Sequence, residues 1–435
     1  MVHILDLPPE LLIEIMKLAT DNPVRDIELL ASWSRFETIY TYNRHEQSKL
    51  AIQTKYALSL VCTVFRKLSL GLLYEDIWIR HGSDGLLEAL ERSRNGPDPG
   101  FGGYVKRVSL ALACEEERLP KRDIYANVRR ALMCCPNVRI IERHQEVTEE
   151  DQEQATVMTV SPIDDLEFRH LTRVDWHNTP LDSSFASISS PRFIWNSDSL
   201  RVLIVGADNF PDQLEQTDPE TVVCLPSVHT LGIRSFNTFG SERRRYQLFL
   251  PSLRRLVVGR PEAIYNFYSG CLAPLRSQIS EIELEPEPRF LRHDFVTTLL
   301  AYCNNTTELC IPVGTTRPAS RYDESPRTVL NFPIRRVCLH AGLPGSPGAY
   351  DQNDLLWWAL LRGHFESLCA PESRFRDLES IVLCGSEWKE TIEDARLLSF
   401  LCLAESRGVH IECEDEQLQR TISTRIRELS PNGAT

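Results

Sequence analysis

No apolar run in this sequence is long enough to cross a bilayer. The longest, Leu355 to Leu361, falls far short of the ~20 residues a spanning helix needs. The opening MVHILDLPPELL has no basic segment ahead of an apolar one and meets Pro8 and Pro9 at once, which predicts no secretory signal and a cytoplasmic or nuclear location. Basic side chains are outnumbered, 48 Lys and Arg against 61 Asp and Glu, for a formal net charge of −13. Binding to a nucleic-acid backbone or an anionic membrane needs a basic face, so neither partner is expected. The basic run Arg243-Arg244-Arg245 follows Glu242 and reads as a solvated loop.

The motifs of common catalytic sites are missing as well. There is no P-loop, no G-x-G-x-x-G, no G-x-S-x-G elbow and no H-E-x-x-H. The histidines are scattered; His177, His340 and His410 fall near expected strand ends without a partnered nucleophile in sequence. Carboxylate runs such as Glu115-Glu116-Glu117 and Glu149-Glu150-Asp151 read as solvated loops. The 13 cysteines include no C-x-x-C pair and no Cys/His pair repeated at zinc-ligand spacing. Cys114, Cys224, Cys303, Cys310, Cys338 and Cys384 lie in or beside apolar runs, where Cys behaves as a small buried hydrophobe. The expectation is a protein that is not an enzyme and holds no cofactor and no metal.

What is present is the balance of a folded chain, 42 % hydrophobic and 25 % charged. A length of 435 residues accommodates two or three domains, or a small domain and a repeat array. Asp6 is placed to cap a helix, with Pro8 and Pro9 near its first turn. Leu11, Leu12, Ile15, Met16 and Ala19 then recur at helical spacing. A second amphipathic stretch carries Tyr56, Ala57, Leu60, Val61, Val64, Phe65 and Leu68, and a third apolar cluster follows at Leu72, Leu73, Tyr74, Ile77 and Trp78.

In this order the motifs Leu7-Pro8-Pro9-Glu10-Leu11-Leu12-x-x-Ile15, Leu58-Ser59-Leu60-Val61-Cys62-x-x-Phe65-Arg66 and Leu72-Leu73-Tyr74-x-x-Ile77 resemble the F-box family, in the form common among mushroom-forming fungi. The resemblance is confined to 1–80 and departs from the family pattern in an insertion over 21–54. It implies a small helical module that docks to a Skp-type adaptor protein and through it to a cullin ubiquitin ligase. By position, Leu7, Pro8, Leu11, Leu12, Ile15, Leu60, Val61 and Phe65 would carry that contact, although some of them could instead form the core of the module. A module this small buries too little surface to stand alone and must lean on a neighbour or a partner.

Past Gly100 the pattern apolar-x-x-apolar-x-apolar keeps returning. Its central residues are Val108, Ile141, Val174, Leu203, Leu231, Leu256, Ile282, Leu309, Val337 and Ile381. Most steps from one centre to the next fall near the length of a single repeat unit, and the last, from Val337 to Ile381, is longer. Period-two alternation predicts strands, and helical spacing between them appears at Ile124/Val128/Ala131/Leu132, Val296/Leu299/Leu300/Cys303, Leu355/Leu356/Ala359/Leu360 and Leu397/Leu398/Leu401/Cys402. The array resembles degenerate leucine-rich repeats, whose usual turn asparagine is mostly missing here.

The predicted fold class is therefore α/β: a helical F-box-like module over 1–80, a curved repeat array with one mainly parallel sheet over 100–415, and a C-terminal helix or tail over 416–435. A plain α/β domain is the structural rival. Side chains facing away from the shared core are the candidates for target binding: Arg173, Asp175, His177, Glu281, Glu283, Glu285, Glu308, Arg336 and His340. Glu281, Glu283 and Glu285, about 7 Å apart along one strand face, would form a solvent-facing acidic stripe suited to a basic peptide. The function expected is a substrate-recognition subunit of a cullin-type ligase. The alternative is an interaction scaffold that engages no ligase.

Overall fold

The computed structural model describes residues 4–20, 50–79, 83–94, 100–111, 121–144, 163, 166–176, 192–206, 222–235, 247–260, 273–319, 331–341, 355–385 and 388–429. Backbone contacts divide the described residues into two units, the first running to Ser252 and the second beginning at Leu253.

The first unit opens with a 3-10 turn, Ile4–Asp6, and helix α1, Pro9–Ala19. Asp6 is not the cap expected of it: the N-cap is Pro8, with no side-chain hydrogen bond. Helix α2 occupies 50–61, and Cys62 then breaks the apolar stretch that reads as one helix in sequence. Its backbone turns extended and its Sγ accepts the Phe65 N–H, starting helix α3, Thr63–Tyr74. Leu12 and Met16 of α1 meet Phe65 and Leu72 of α3 in a small core, flanked by Leu7, Leu58, Cys62 and Leu68.

The third apolar cluster is not helical throughout. Leu72 to Tyr74 end α3, whereas Ile77 and Trp78 lie in strand β1, Asp76–Ile79, so the strand array begins inside the region expected to be wholly helical. There follow α4 (Asp84–Arg94), β2 (Arg107–Ala111), α5 (Lys121–Met133), β3 (Ile140–His144), β4 (Arg173–Trp176), α6 (Arg192–Trp195), β5 (Val202–Gly206), β6 (Val222–Cys224), β7 (Thr230–Ser235) and β8 (Gln247–Phe249). The strands stand in the order β1-β2-β3-β4-β5-β7, all parallel, with β6 and β8 forming a separate parallel pair. The central apolar residues fall in register: Ile77 beside Val108, then Ile141, Val174, Leu203 and Leu231, all buried. One residue ahead of each strand the ladder continues, with Arg139 N–H donating to the Lys106 carbonyl and Thr172 N–H to that of Arg139, both at 2.8 Å.

The second unit repeats the scheme with β9 (Arg255–Val258), β10 (Glu281–Leu284), α7 (Phe295–Tyr302), β11 (Glu308–Pro312), β12 (Arg336–His340), α8 (Leu355–Cys369), β13 (Ser380–Cys384), α9 (Trp388–Thr391), α10 (Ala395–Ser406), β14 (His410–Cys413) and α11 (Glu416–Leu429). Its six strands are parallel in sequence order, with Leu256, Ile282, Leu309, Val337, Ile381 and Ile411 side by side and buried. The step from Val337 to Ile381 is long because it contains helix α8, of 15 residues. That helix turns a different face inward than its leucines suggest. Trp357, Leu361, Phe365 and Leu368 are buried, while Leu355 and Leu356 are exposed. The Trp357 indole N–H explains part of this by donating to the Ala341 carbonyl at 2.6 Å. The C-terminal segment is helical, and Leu418, Ile422 and Ile426 of α11 are buried.

Candidate functional site

Helix α1 carries two apolar stripes roughly 100° apart, which follows from placing leucines at both 11 and 12 and isoleucine and methionine at 15 and 16. One stripe, Leu12 and Met16, fills the core of the module. The other, Leu11, Ile15 and Leu18, faces solvent, with Leu11 51 % exposed. Leu60 and Val61 at the end of α2 are 66 % and 64 % exposed, and Leu50, Tyr56 and Val64 also point outward. Of the residues expected at an adaptor interface, Pro8, Leu11, Ile15, Leu60 and Val61 are thus accessible and Leu7 is half-buried. Leu12 and Phe65 are corrected to core positions, since a side chain enclosed by its own module has no surface left for a partner.

Helix α2 is positioned by a feature that local sequence does not announce. Lys55 is fully buried, and its Nζ lies 2.8 Å from Glu75 Oε1, itself almost fully buried. The Glu75 backbone carbonyl accepts from both Lys106 and Arg107 N–H groups. One residue therefore ties α2, the end of α3 and the start of β2 together. Close by, an open cleft of about 600 Å³ is lined by Lys17, Glu75, Tyr104, Lys106, Arg139 and His170 among others. Its cationic side chains come from α1, from the segment before β2 and from the segment before β3, so no sequence window reveals it.

The strand faces turned away from the core differ from expectation. Arg173 and Asp175 are 1 % exposed, and Glu283 and His340 are fully buried. These four are not the solvent-facing contacts predicted, and His177 lies outside the described residues. Parallel strands are commonly covered on both faces, and a charge on a covered face survives only when paired. Glu283 Oε2 lies 3.5 Å from Arg255 Nη2, and Glu281 Oε2 3.6 Å from Arg255 Nε. In the first unit Arg107 reaches Glu142 at 2.9 Å and Asp76 at 3.8 Å. The acidic stripe is thus half ion-pair zipper. Only Glu281, Glu285, Glu308 and Arg336 of the set are partly accessible, with Arg336 paired to Glu412 at 2.7 Å.

No protein-family model and no curated protein matches this sequence. Chemistry must therefore be read from the side chains alone. Burial pushes the Cys135, Cys303 and Cys413 thiols up to about 12 and Cys369 to about 11. A thiol held protonated is a poor nucleophile. His364 is driven the other way, to about 4, because burial outweighs its hydrogen bonds to the Thr316 and Val313 backbone. It donates from Nε2 to the Thr316 carbonyl at 3.0 Å, a structural role. Cys303, Cys310, Cys338 and Cys384 are buried as expected, but Cys224 is exposed at the end of β6. No helix among the described residues is long and apolar enough to span a membrane.

Proposed function

We propose that this chain is a protein-interaction adaptor, a substrate-recognition subunit whose N-terminal helices dock to a Skp-type adaptor of a cullin ubiquitin ligase while the strand array receives a target. The observation that supports this reading is the second, outward apolar stripe on a module whose core is already filled by Leu12, Met16, Phe65 and Leu72. Leu11, Ile15, Leu60 and Val61 are exposed and take no part in the core of the module, and an apolar stripe such as Leu11, Ile15 and Leu18 left open to solvent is a surface a partner can cover. The motif order Leu7-Pro8-Pro9-Glu10-Leu11-Leu12 and Leu58-Ser59-Leu60-Val61 is the ground for naming this partner. The mechanism is positional: holding a target beside a transferase raises the local concentration of its lysines. Target contacts fall to the partly accessible Glu281, Glu285, Glu308 and Arg336.

The test is capture of a purified Skp-type adaptor by the full chain. A Pro8→Ala, Leu11→Ala double change should weaken capture more than tenfold, since a central anchor is worth about 2 kcal/mol or more. Thermal stability should fall little, because both side chains are exposed. Absence of binding by the unchanged chain, and again after removal of residues 21–49, would end the ligase reading.

A further inference from the structure

We propose that Glu308, Cys310 and Cys338 form a binding site for a thiophilic divalent cation of the zinc class. Strands β11 and β12 pair in parallel with Glu308 opposite Arg336 and Cys310 opposite Cys338. Because side chains alternate along a strand, Glu308 and Cys310 share one face, and in-register pairing puts Cys338 on that same face one strand away. The two cysteines hold equivalent positions in successive repeats, each directly after its central residue, Leu309 or Val337, so the repeat period itself brings them together.

The geometry is that of a ligand set. Glu308 Oε1 lies 3.5 Å from Cys338 Sγ and 3.9 Å from Cys310 Sγ. The three ligand atoms are all within 4.8 Å of one another. A tetrahedral ion with bonds of about 2.3 Å to sulfur and about 2.0 Å to oxygen separates those ligands by roughly 3.5 Å. The side chains need only small adjustments to close around an ion. Both thiols are buried, while Glu308 is half-buried and offers the approach from solvent. Two sulfurs and one carboxylate select a soft or borderline ion over magnesium or calcium, which take oxygen ligands. Three protein ligands leave a fourth position for water or for a donor brought by a partner.

Binding replaces the two S–H protons with metal–sulfur bonds and releases both protons to solvent, with no change of oxidation state. The charged groups that face Cys310 from the neighbouring strands are Glu283 on β10 and Arg255 on β9, together with Glu308 and Cys338 itself. Cys384 on β13 belongs to the same buried cluster. Arg255 lies near Cys310 and Arg336 sits opposite Glu308, and both are already paired with carboxylates, Arg255 with Glu281 and Glu283 and Arg336 with Glu412.

The experiment titrates the reduced full-length chain with cadmium and follows the thiolate-to-metal charge-transfer absorption in the ultraviolet. Because other cysteines are present, the readout is the difference between the unchanged chain and a Cys310→Ala, Cys338→Ala variant. The unchanged chain should bind one more cation, with the matching absorption, and its thermal midpoint should rise with zinc while that of the variant does not. Glu308→Gln, at a half-exposed position, keeps the fold and both sulfurs; it should retain the absorption but weaken binding by at least about tenfold. Equal stoichiometry and absorption in the unchanged chain and the double variant would overturn the site, as would unaltered affinity in Glu308→Gln.

Discussion

Replacing Lys55 with methionine tests how the N-terminal helices are held. The Lys55–Glu75 contact is 2.8 Å between two side chains that are 0 % and 4 % exposed. At that separation and an effective dielectric of about 20, the attraction is about 6 kcal/mol, set against a desolvation cost of several kcal/mol for each ion. The net worth of the intact pair is therefore small, but removing the lysine takes its close cation away from a carboxylate that stays buried. Lys55→Met should cost about 3–5 kcal/mol. The double change Lys55→Met, Glu75→Met removes both charges and should recover most of that loss. Hydrogen exchange resolved by peptide is the suitable assay, because it reports the opening free energy of residues 50–79 separately from the rest of the chain. Adaptor capture measured in parallel should follow the same order, since α2 presents Leu60 and Val61. A cost below about 1 kcal/mol for the single change, or a double change as damaging as the sum of both singles, would refute the assignment of this pair as the anchor of α2.

Three further outcomes follow from buried groups. His364 carries a lowered pKa of about 4 against 6.5 when unfolded, so its contribution is fully present above pH 6.5 and is lost as pH falls toward 4, by about 3 kcal/mol. Urea midpoints at neutral and mildly acid pH should show that loss, and it should shrink in a His364→Gln variant. Glu283→Lys should destabilise the second unit by about 3 kcal/mol or more, because it sets a second cation against Arg255 in a buried site; Glu281→Lys, at a partly exposed position, should cost under about 1 kcal/mol. Equal urea shifts for the two would contradict the ion-pair geometry. Gly102→Ala places a Cβ 1.8 Å from the Cys134 carbonyl oxygen, which only backbone movement can relieve. A loss of about 3 kcal/mol or more in chemical denaturation is expected, and a variant as stable as the parent would show that this close approach is not maintained.

The strand array is legible residue by residue. All ten central positions from Val108 to Ile381 lie in strands, because a period-two apolar pattern is a local signal and in-register parallel stacking needs only that it recur. Strands β1 and β14 are not legible in the same way, the first because Ile77 and Trp78 continue a helical run, the second because Gly408 stands where the pattern has its first apolar residue, three before Ile411. The helices are legible as elements but not always as faces: α8 turns Trp357, Leu361, Phe365 and Leu368 inward, with the Trp357 indole N–H donating to the Ala341 carbonyl, and leaves Leu355 and Leu356 exposed. On α1 the sequence supplies two equivalent apolar stripes, and only packing against Phe65 and Leu72 decides which is core and which is surface. Glu283 and Glu281 differ by two positions and share one strand face, yet one is enclosed and the other partly open. Chain periodicity determines which face a side chain joins. What covers that face, and which distant charge or thiol meets it there, depends on residues one or more repeats away, and these become neighbours only when the strands stack.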